Sequence, residues 1–442
     1  MVTFYKHIET VTKSKLIAIV AVASLLIAPL TAHAQEDSAE DHGSRAVGKR
    51  KPKKPRRSNA KKHKSVAPFE LGYEVGAFGG SYLQTGAFGT LFNAGLSGKA
   101  NLAKHEIALD LGYGYDTFST KTFNFPEEET ATSDTRLTQP MHELSASVRH
   151  SRRWLRWFET TTRLRGDWWL PSHPVDDRRS LRLEPEVRIG NATGIYGSLA
   201  ADGFLKRFPN YEIQGRRLDQ QGVDSTIELG YVFSPYNTIT VGAALDYTEY
   251  RDAHYETLTA TGVLLRSPRT KRYFERSPFI QGSIRPSKNF RADLKYSFEL
   301  NDSIDYDRGM TGRSNGVLVE KFIRDYYDYR RHRVTLNTHT NLAKRFTLGT
   351  MSEIWFRDFD SYEARDVDNV WTGDMRHDSS LELGLEAAYR LWQFSALGLE
   401  HGVFVSAFGA HLRRRSNMRR EVSIATNFDV TRVFLGVEVK DL

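Results

Sequence analysis

The sequence predicts an all-β protein: one transmembrane antiparallel up-and-down β-barrel of about 16 strands (range about 14–18), preceded by a disordered basic segment. Three observations carry this. Apolar and polar residues alternate with period two from Pro68 onward, as in a strand with one apolar face. Short polar turns and long polar connections succeed one another along the chain. Only one long apolar run exists, near the N-terminus, which excludes a bundle of spanning helices, each needing about 20 apolar residues.

Residues 1–34 place Lys6, Lys13 and Lys15 before an apolar stretch over 16–30, then Ala32-His33-Ala34. This is the pattern of a secretory signal peptide cleaved after Ala34. As a helix the stretch would cover about 22 Å, short of a hydrocarbon core of roughly 30 Å. Residues 35–67 follow with no apolar periodicity, so this segment should remain a disordered periplasmic tail. Eleven Lys and Arg fall within 35–64, densest in Gly48-Lys-Arg-Lys-Pro-Lys-Lys-Pro-Arg-Arg57.

The chain carries +8, of which +2 lies in 1–34 and +7 in 35–64, leaving −1 for the remainder. The pI of 9.3 therefore reflects a tail rather than a basic folded surface, and nucleic acid is not an expected partner. Lys49, Arg50, Lys51, Lys53, Lys54, Arg56 and Arg57 are candidates for binding an anionic periplasmic polymer or envelope protein through residues 45–64. The absence of cysteine excludes disulfide scaffolds and thiolate chemistry.

The strands are expected over 68–442. In 291–300, Ala292, Leu294, Tyr296, Phe298 and Leu300 oppose Arg291, Asp293, Lys295, Ser297 and Glu299. Leu181, Leu183, Val187 and Ile189 oppose Arg182, Glu184, Glu186 and Arg188; Leu381, Leu383, Leu385 and Ala387 oppose Glu382, Gly384 and Glu386. The segment 239–248 and those at 107–115, 158–168, 227–233 and 346–356 read similarly. Short turns are expected near 101–105, 151–153, 190–194, 234–237, 285–289, 341–345 and 391–397. With a first strand at 68–79 and a last at 430–440, these hairpins give about 16 strands; an extra pair including 255–265 would give about 18.

Long connections are expected at 118–140, 207–222, 251–276, 301–328, 358–378 and 413–428. Alternating short and long connections suit a spanning barrel, with short periplasmic turns and long outer loops. Aromatic residues gather toward the long-loop ends, as at Tyr113, Trp168, Tyr247 and Tyr296.

On these residues the segment 68–442 resembles a bacterial outer-membrane β-barrel of porin-like size, from a Gram-negative envelope. The resemblance implies contact with outer-membrane lipid and insertion by the outer-membrane assembly machinery. That machinery usually reads a terminal aromatic, where this chain has Leu442.

If the apolar face meets lipid, the opposite phase lines the lumen: Glu159, Arg163, Arg165, Asp167, Arg182, Glu184, Glu186, Arg188, Asp293, Lys295, Glu299, Glu353, Arg357, Glu382, Glu386 and Arg390. The signs nearly balance, which points to weak ion selectivity or to ion-pair networks across the interior. The loops at 118–140 and 301–328 are candidates to fold inward.

The expected function is a non-enzymatic, water-filled channel for passive diffusion of small polar solutes. The alternative is a barrel component or anchor of a larger envelope machine, for polymer export or surface attachment, with the basic tail binding a periplasmic partner. A rim-located hydrolase is least favoured. Asp366-Val-Asp368 and Asp252-Ala-His254 resemble the acidic and Asp-His pairs of outer-membrane proteases of the omptin type, but in the opposite chain order. His339-Thr-Asn341 lacks the serine of an outer-membrane phospholipase. No Gly-rich phosphate loop and no His-Glu-x-x-His or Cys-based metal site is present, so neither cofactor nor metal is expected.

Overall fold

Period-two alternation turns one row of side chains to each face of a sheet, and a sheet bathed in lipid must close because its edges would otherwise leave backbone groups unpaired. The computed structural model meets both demands. It describes residues 69–441 apart from short stretches between strands, the longest being 118–139, 210–218 and 420–427. The signal peptide, the basic tail from Lys49 to Arg57 and Leu442 lie outside the described residues.

The strands are β1 (Phe69–Gln84), β2 (Ala87–Leu102), β3 (His105–Asp116), β4 (Met141–Leu155), β5 (Phe158–Pro171), β6 (Arg178–Gly190), β7 (Gly194–Arg207), β8 (Gln220–Ser234) and β9 (Asn237–Leu258). They continue as β10 (Leu264–Ser287), β11 (Phe290–Asn301), β12 (Arg308–Ser314), β13 (Val317–Ile323), β14 (Tyr329–Ala343), β15 (Phe346–Arg365), β16 (Trp371–Ala396), β17 (Leu399–Ser416) and β18 (Phe428–Asp441).

Sixteen of them form one closed antiparallel barrel in sequence order, while β12 and β13 make a separate two-stranded sheet. Closure is made by β1 against β18, from Ala77↔Val439 to Gln84↔Arg432. At a strand spacing of about 4.8 Å and a tilt near 40°, sixteen strands give a backbone cylinder roughly 30 Å across.

The expected number of strands is met, but several boundaries move. The stretch 251–276 is mostly the continuation of β9 and β10, which pair out to Leu264↔Leu258, so it supplies no independent strand near 255–265. Likewise 358–378 is largely the ends of β15 and β16, joined by a tight turn with Asn369 at φ 65°. β17 extends through Ser416 into 413–428. The turn placed at 151–153 lies after Leu155, and the one at 391–397 lies after Ala396. These extensions escape the alternation test because, beyond the lipid, neither face needs to be apolar. Within 301–328 the β12–β13 hairpin turns on Asn315 and Gly316, both at positive φ (50° and 80°), the geometry that Asn-Gly favours in a two-residue hairpin loop.

Leu96, Leu109, Val148, Leu164, Leu183, Leu199, Ile227, Leu229, Val241, Ile280, Leu383, Leu385 and Leu435 are exposed, and each lies on the outward phase of its strand. Such a belt of exposed large apolar residues is far beyond what a soluble surface carries and is what a lipid-facing band requires. Tyr113 and Trp168 flank it at the long-loop end, and Trp154, Trp157, Tyr231, Phe233, Tyr389 and Trp392 at the short-turn end. This second girdle was not anticipated, because most of its members sit beside the turns.

Beyond the band on the long-loop side, outward charges appear in pairs: Arg207 with Asp219 (2.6 Å), Arg330 with Asp360 (3.4 Å) and Arg415 with Asp429 (2.6 Å). There, hydrogen bonds donated by Thr270 and Gln221 hold the Glu249 carboxyl below the usual carboxylate range.

Candidate functional site

The inward phase of the strands builds the site. On β5 the outward residues Leu164 and Trp168 are exposed, so Glu159, Arg163, Arg165 and Asp167 project inside. On β6 the outward Leu181, Leu183 and Ile189 leave Arg182, Glu184, Glu186 and Arg188 inside. By the same phase Asp293, Lys295 and Glu299 on β11, Glu353 and Arg357 on β15, and Glu382, Glu386 and Arg390 on β16 lie on the inner wall.

Most of these charges are tied to one another. Arg163 approaches Asp110 (3.6 Å) and Glu184 (3.9 Å) and donates to Ser147 Oγ (3.1 Å). Arg165 donates to Asp167 at 2.7 Å, Arg182 pairs with Asp202, and Glu159 meets Arg153 at 3.6 Å. Arg188 lies over the Tyr196 ring and Lys295 over the Phe279 ring. Asp293 is held by Arg291 at 2.8 Å. Arg390 donates to the Lys344 carbonyl (3.2 Å), near the turn end.

The densest network crosses β10, β11, β14, β15 and β16. Arg331 lies 3.7 Å from Glu275 and pairs with Glu299, and Arg333 lies 3.2 Å from Glu299 and 3.9 Å from Glu353. Next to it, Asp378 accepts from Arg357 (2.7 Å) and Arg376 (2.9 Å) and is 3% exposed. Arg357 lies within 5.4 Å of the ring centroids of Tyr329, Trp355 and Phe359.

Sequence reasoning found Glu299, Glu353 and Arg357 but missed Arg331, Arg333, Arg376, Asp378 and Glu275. The even phase that includes Glu382 and Glu386 runs back to Asp378. On β14 the signal is blurred because Arg330 and His332 put polar residues on the outward face too.

The β12–β13 hairpin packs over this network. Met310 and Ile323 form a buried cluster with Tyr329, Phe359, Tyr362, Trp371 and Met418. Arg365 donates to the Thr311 carbonyl (2.8 Å), and Lys321 reaches Glu363 (2.5 Å). Tyr329 and Phe359 belong to the inner phase, so the β12–β13 hairpin covers one side of the mouth. The other candidate inward loop, 118–140, lies almost wholly outside the described residues.

Adjoining the network beyond β16, a recess of about 600 Å³ opens along the inner wall, lined by β2–β4 and β16–β18 and including Leu91, Met141, Glu386, Phe408, Arg432 and Phe434.

The hydrolase-like pairs lie in a turn and in a strand extension. Asp366 Oδ1 accepts the backbone N–H groups of Asp368 (2.9 Å) and Val370 (2.8 Å), which builds the β15–β16 turn. Asp252 and His254 lie within the β9 extension. Among the described residues no group of three or more His, Asp and Glu side chains could hold a metal ion.

No model of a known protein family matches the chain, and no curated protein matches its sequence. Among solved structures it is similar to a loop-deletion mutant of OmpT, an outer membrane protein of Vibrio cholerae. That likeness has 8% identity and a TM-score of 0.40, and covers 84% of this chain and 99% of that one. It is also similar to a bacterial polysaccharide outer membrane secretin, with 11% identity, a TM-score of 0.39, and 84% and 97% covered. A third is the toluene transporter TodX of Pseudomonas putida, with 8% identity, a TM-score of 0.30, and 85% and 89% covered. At these identities and scores none of them assigns an activity or a partner. The closed sixteen-stranded cylinder, its exposed apolar band and its two aromatic girdles are the chain's own features, and they give it the architecture of an outer-membrane β-barrel.

Proposed function

We propose that the protein is a channel in the bacterial outer membrane through which small polar solutes diffuse passively. The observation that carries this reading is the distribution of matter inside the cylinder. The hairpin and the Arg331–Asp378 network thicken the wall from β10 to β16, whereas the adjoining wall from β16 round to β4 keeps an open, charged recess. Barrels of 16–18 strands leave an aqueous channel when nothing fills them. Sieving would depend on the free width beside the network and on the inner charges, with Arg163, Arg165, Arg182, Glu184, Glu186, Arg188, Asp293 and Lys295 along the path. In this reading the chain is exported, cut after Ala34 and inserted by the assembly machinery.

The test is single-channel recording of residues 35–442 in planar bilayers. Stable steps on the order of a nanosiemens are expected of a wet pore. A folded barrel that stays silent would overturn the channel.

A second reading has one observation in its favour, the eleven positive charges within 35–64, which passive diffusion does not require. They would hold an anionic periplasmic polymer or envelope protein, making the barrel part of a larger machine. Deleting 35–64 should then leave the barrel intact and strip co-purifying partners; an unchanged partner set argues against it.

A further inference from the structure

The inner recess contains a small grid whose composition differs from the rest of the wall. On β17, Phe404, Ser406 and Phe408 follow one another on the inward phase. Phe408 lies directly across from Glu386 of β16 and Phe434 of β18. Ser406 lies across from Ala388 and Gly436, the smallest neighbours available, and thus sits in a pit between two phenylalanines.

Two polar groups there are unmatched. Ser406 is 6% exposed, lines the recess, and its Oγ has no hydrogen-bond partner. Leaving a buried hydroxyl unsatisfied costs about 1–3 kcal/mol, so an occupant able to hydrogen-bond it would be rewarded. Glu386 forms no ion pair among the described residues; Glu186, Asp224, Asp246 and Glu382 on the inner wall share that state, but of these five only Glu386 lines the recess.

The sign of the recess is also biased. Among the described residues Asp116, Glu143, Glu386 and Glu438 line it, against Arg432. Leu91, Met141, Phe408 and Phe434 supply its apolar surface. Gly384 makes room for the Phe408 ring, which would lie 3.4 Å from a Cβ at that position.

We propose that this recess is a binding subsite for an amphipathic organic cation, a protonated amine on a small apolar or aromatic body. The ammonium would donate to Glu386 and Ser406 Oγ, and the body would lie against Phe408 and Phe434. An ammonium near aromatic faces gains from the ring quadrupole as well as from the carboxylate. About 600 Å³ is ample for a molecule of this kind. An anion would meet four carboxylates, and a neutral polar solute would leave Glu386 without a counter-charge.

The subsite deepens the channel reading by naming a solute class, yet its occupancy does not depend on conduction. The test is calorimetric titration of residues 35–442 in detergent with three matched probes: 2-phenylethylammonium, phenylacetate and 2-phenylethanol. The ammonium should bind at least tenfold more tightly than the other two. Glu386→Gln, which keeps size and shape, should weaken it about tenfold and leave 2-phenylethanol unaffected; Ser406→Ala should weaken it several-fold. Equal or tighter binding of phenylacetate, or unchanged affinity in Glu386→Gln, overturns the proposal. A silent barrel that binds the ammonium would sink the channel but keep the subsite; a conducting barrel that does not would do the reverse.

Discussion

Tyr196 of β7 lies directly across from Gly230 of β8, with its ring so close that a Cβ on Gly230 would sit 2.4 Å from it. Phe204 covers Gly222 in the same way, and Phe279 covers Gly242. All six are on the inner phase, so the aromatic rings lie flat along the wall instead of projecting into the lumen. Covering a strand glycine with a neighbouring ring also shields backbone the glycine leaves bare. Gly230→Val should destabilise the barrel by about 1–3 kcal/mol, the usual penalty for overpacking. Adding Tyr196→Ala should recover part of that loss. The denaturant midpoint of the folded, heat-modifiable band checks it.

Asp378 is expected to be the most costly carboxylate to remove. It is buried between Arg357 and Arg376, so Asp378→Ala would leave two guanidinium groups uncompensated, a change worth about 3–5 kcal/mol. Asp360→Ala breaks an exposed pair with Arg330 and should cost about 1 kcal/mol or less. Equal losses in the two variants would contradict the burial described for Asp378.

Reversing two inner charges should alter permeation, at a cost in stability because Asp167 is buried beside Arg165. Arg163→Glu with Arg165→Glu adds negative charge beside Asp110, Asp167 and Glu184 and should shift the reversal potential toward cation selectivity in a salt gradient. An unchanged potential would remove both residues from the solute path.

Replacing residues 308–323 with a short Gly-Ser linker should raise single-channel conductance, because the hairpin covers one side of the mouth. The strands beneath it pair independently of it, so the variant should still fold. Conductance equal to the parent protein would place the narrowest point elsewhere.

The barrel was legible in the sequence wherever lipid imposes a rule. On β11, the alternation from Ala292 to Leu300 fixed phase and face, since a charged residue turned outward at mid-band is expensive. Above the band that rule lapses, which is why the ends of β9, β10, β15 and β16 read as loops although their backbone ladders continue. The β12–β13 hairpin did carry a local signal in Asn315-Gly316, hidden by the polar composition around it. Inner phase was readable for Glu386 and Arg163 alike. That one is paired and the other is not depends on which strands become neighbours, and no single-strand pattern contains that.

One feature of the closed sheet bears on how it is made. β1 meets β2 through sixteen residue pairs but β18 through only eight. The first strand can dock on its sequence neighbour early, while its other edge waits for β18, the barrel strand farthest from it along the chain. Joining the chain's two ends costs loop-closure entropy that grows with the logarithm of the intervening length, and only the short seam repays it. Closure should therefore be the late, slow event of folding, preceded by an open sheet with two bare edges. Weakening the seam, for example with Val437→Pro, would lengthen the lifetime of that intermediate far more than an equivalent change between β15 and β16.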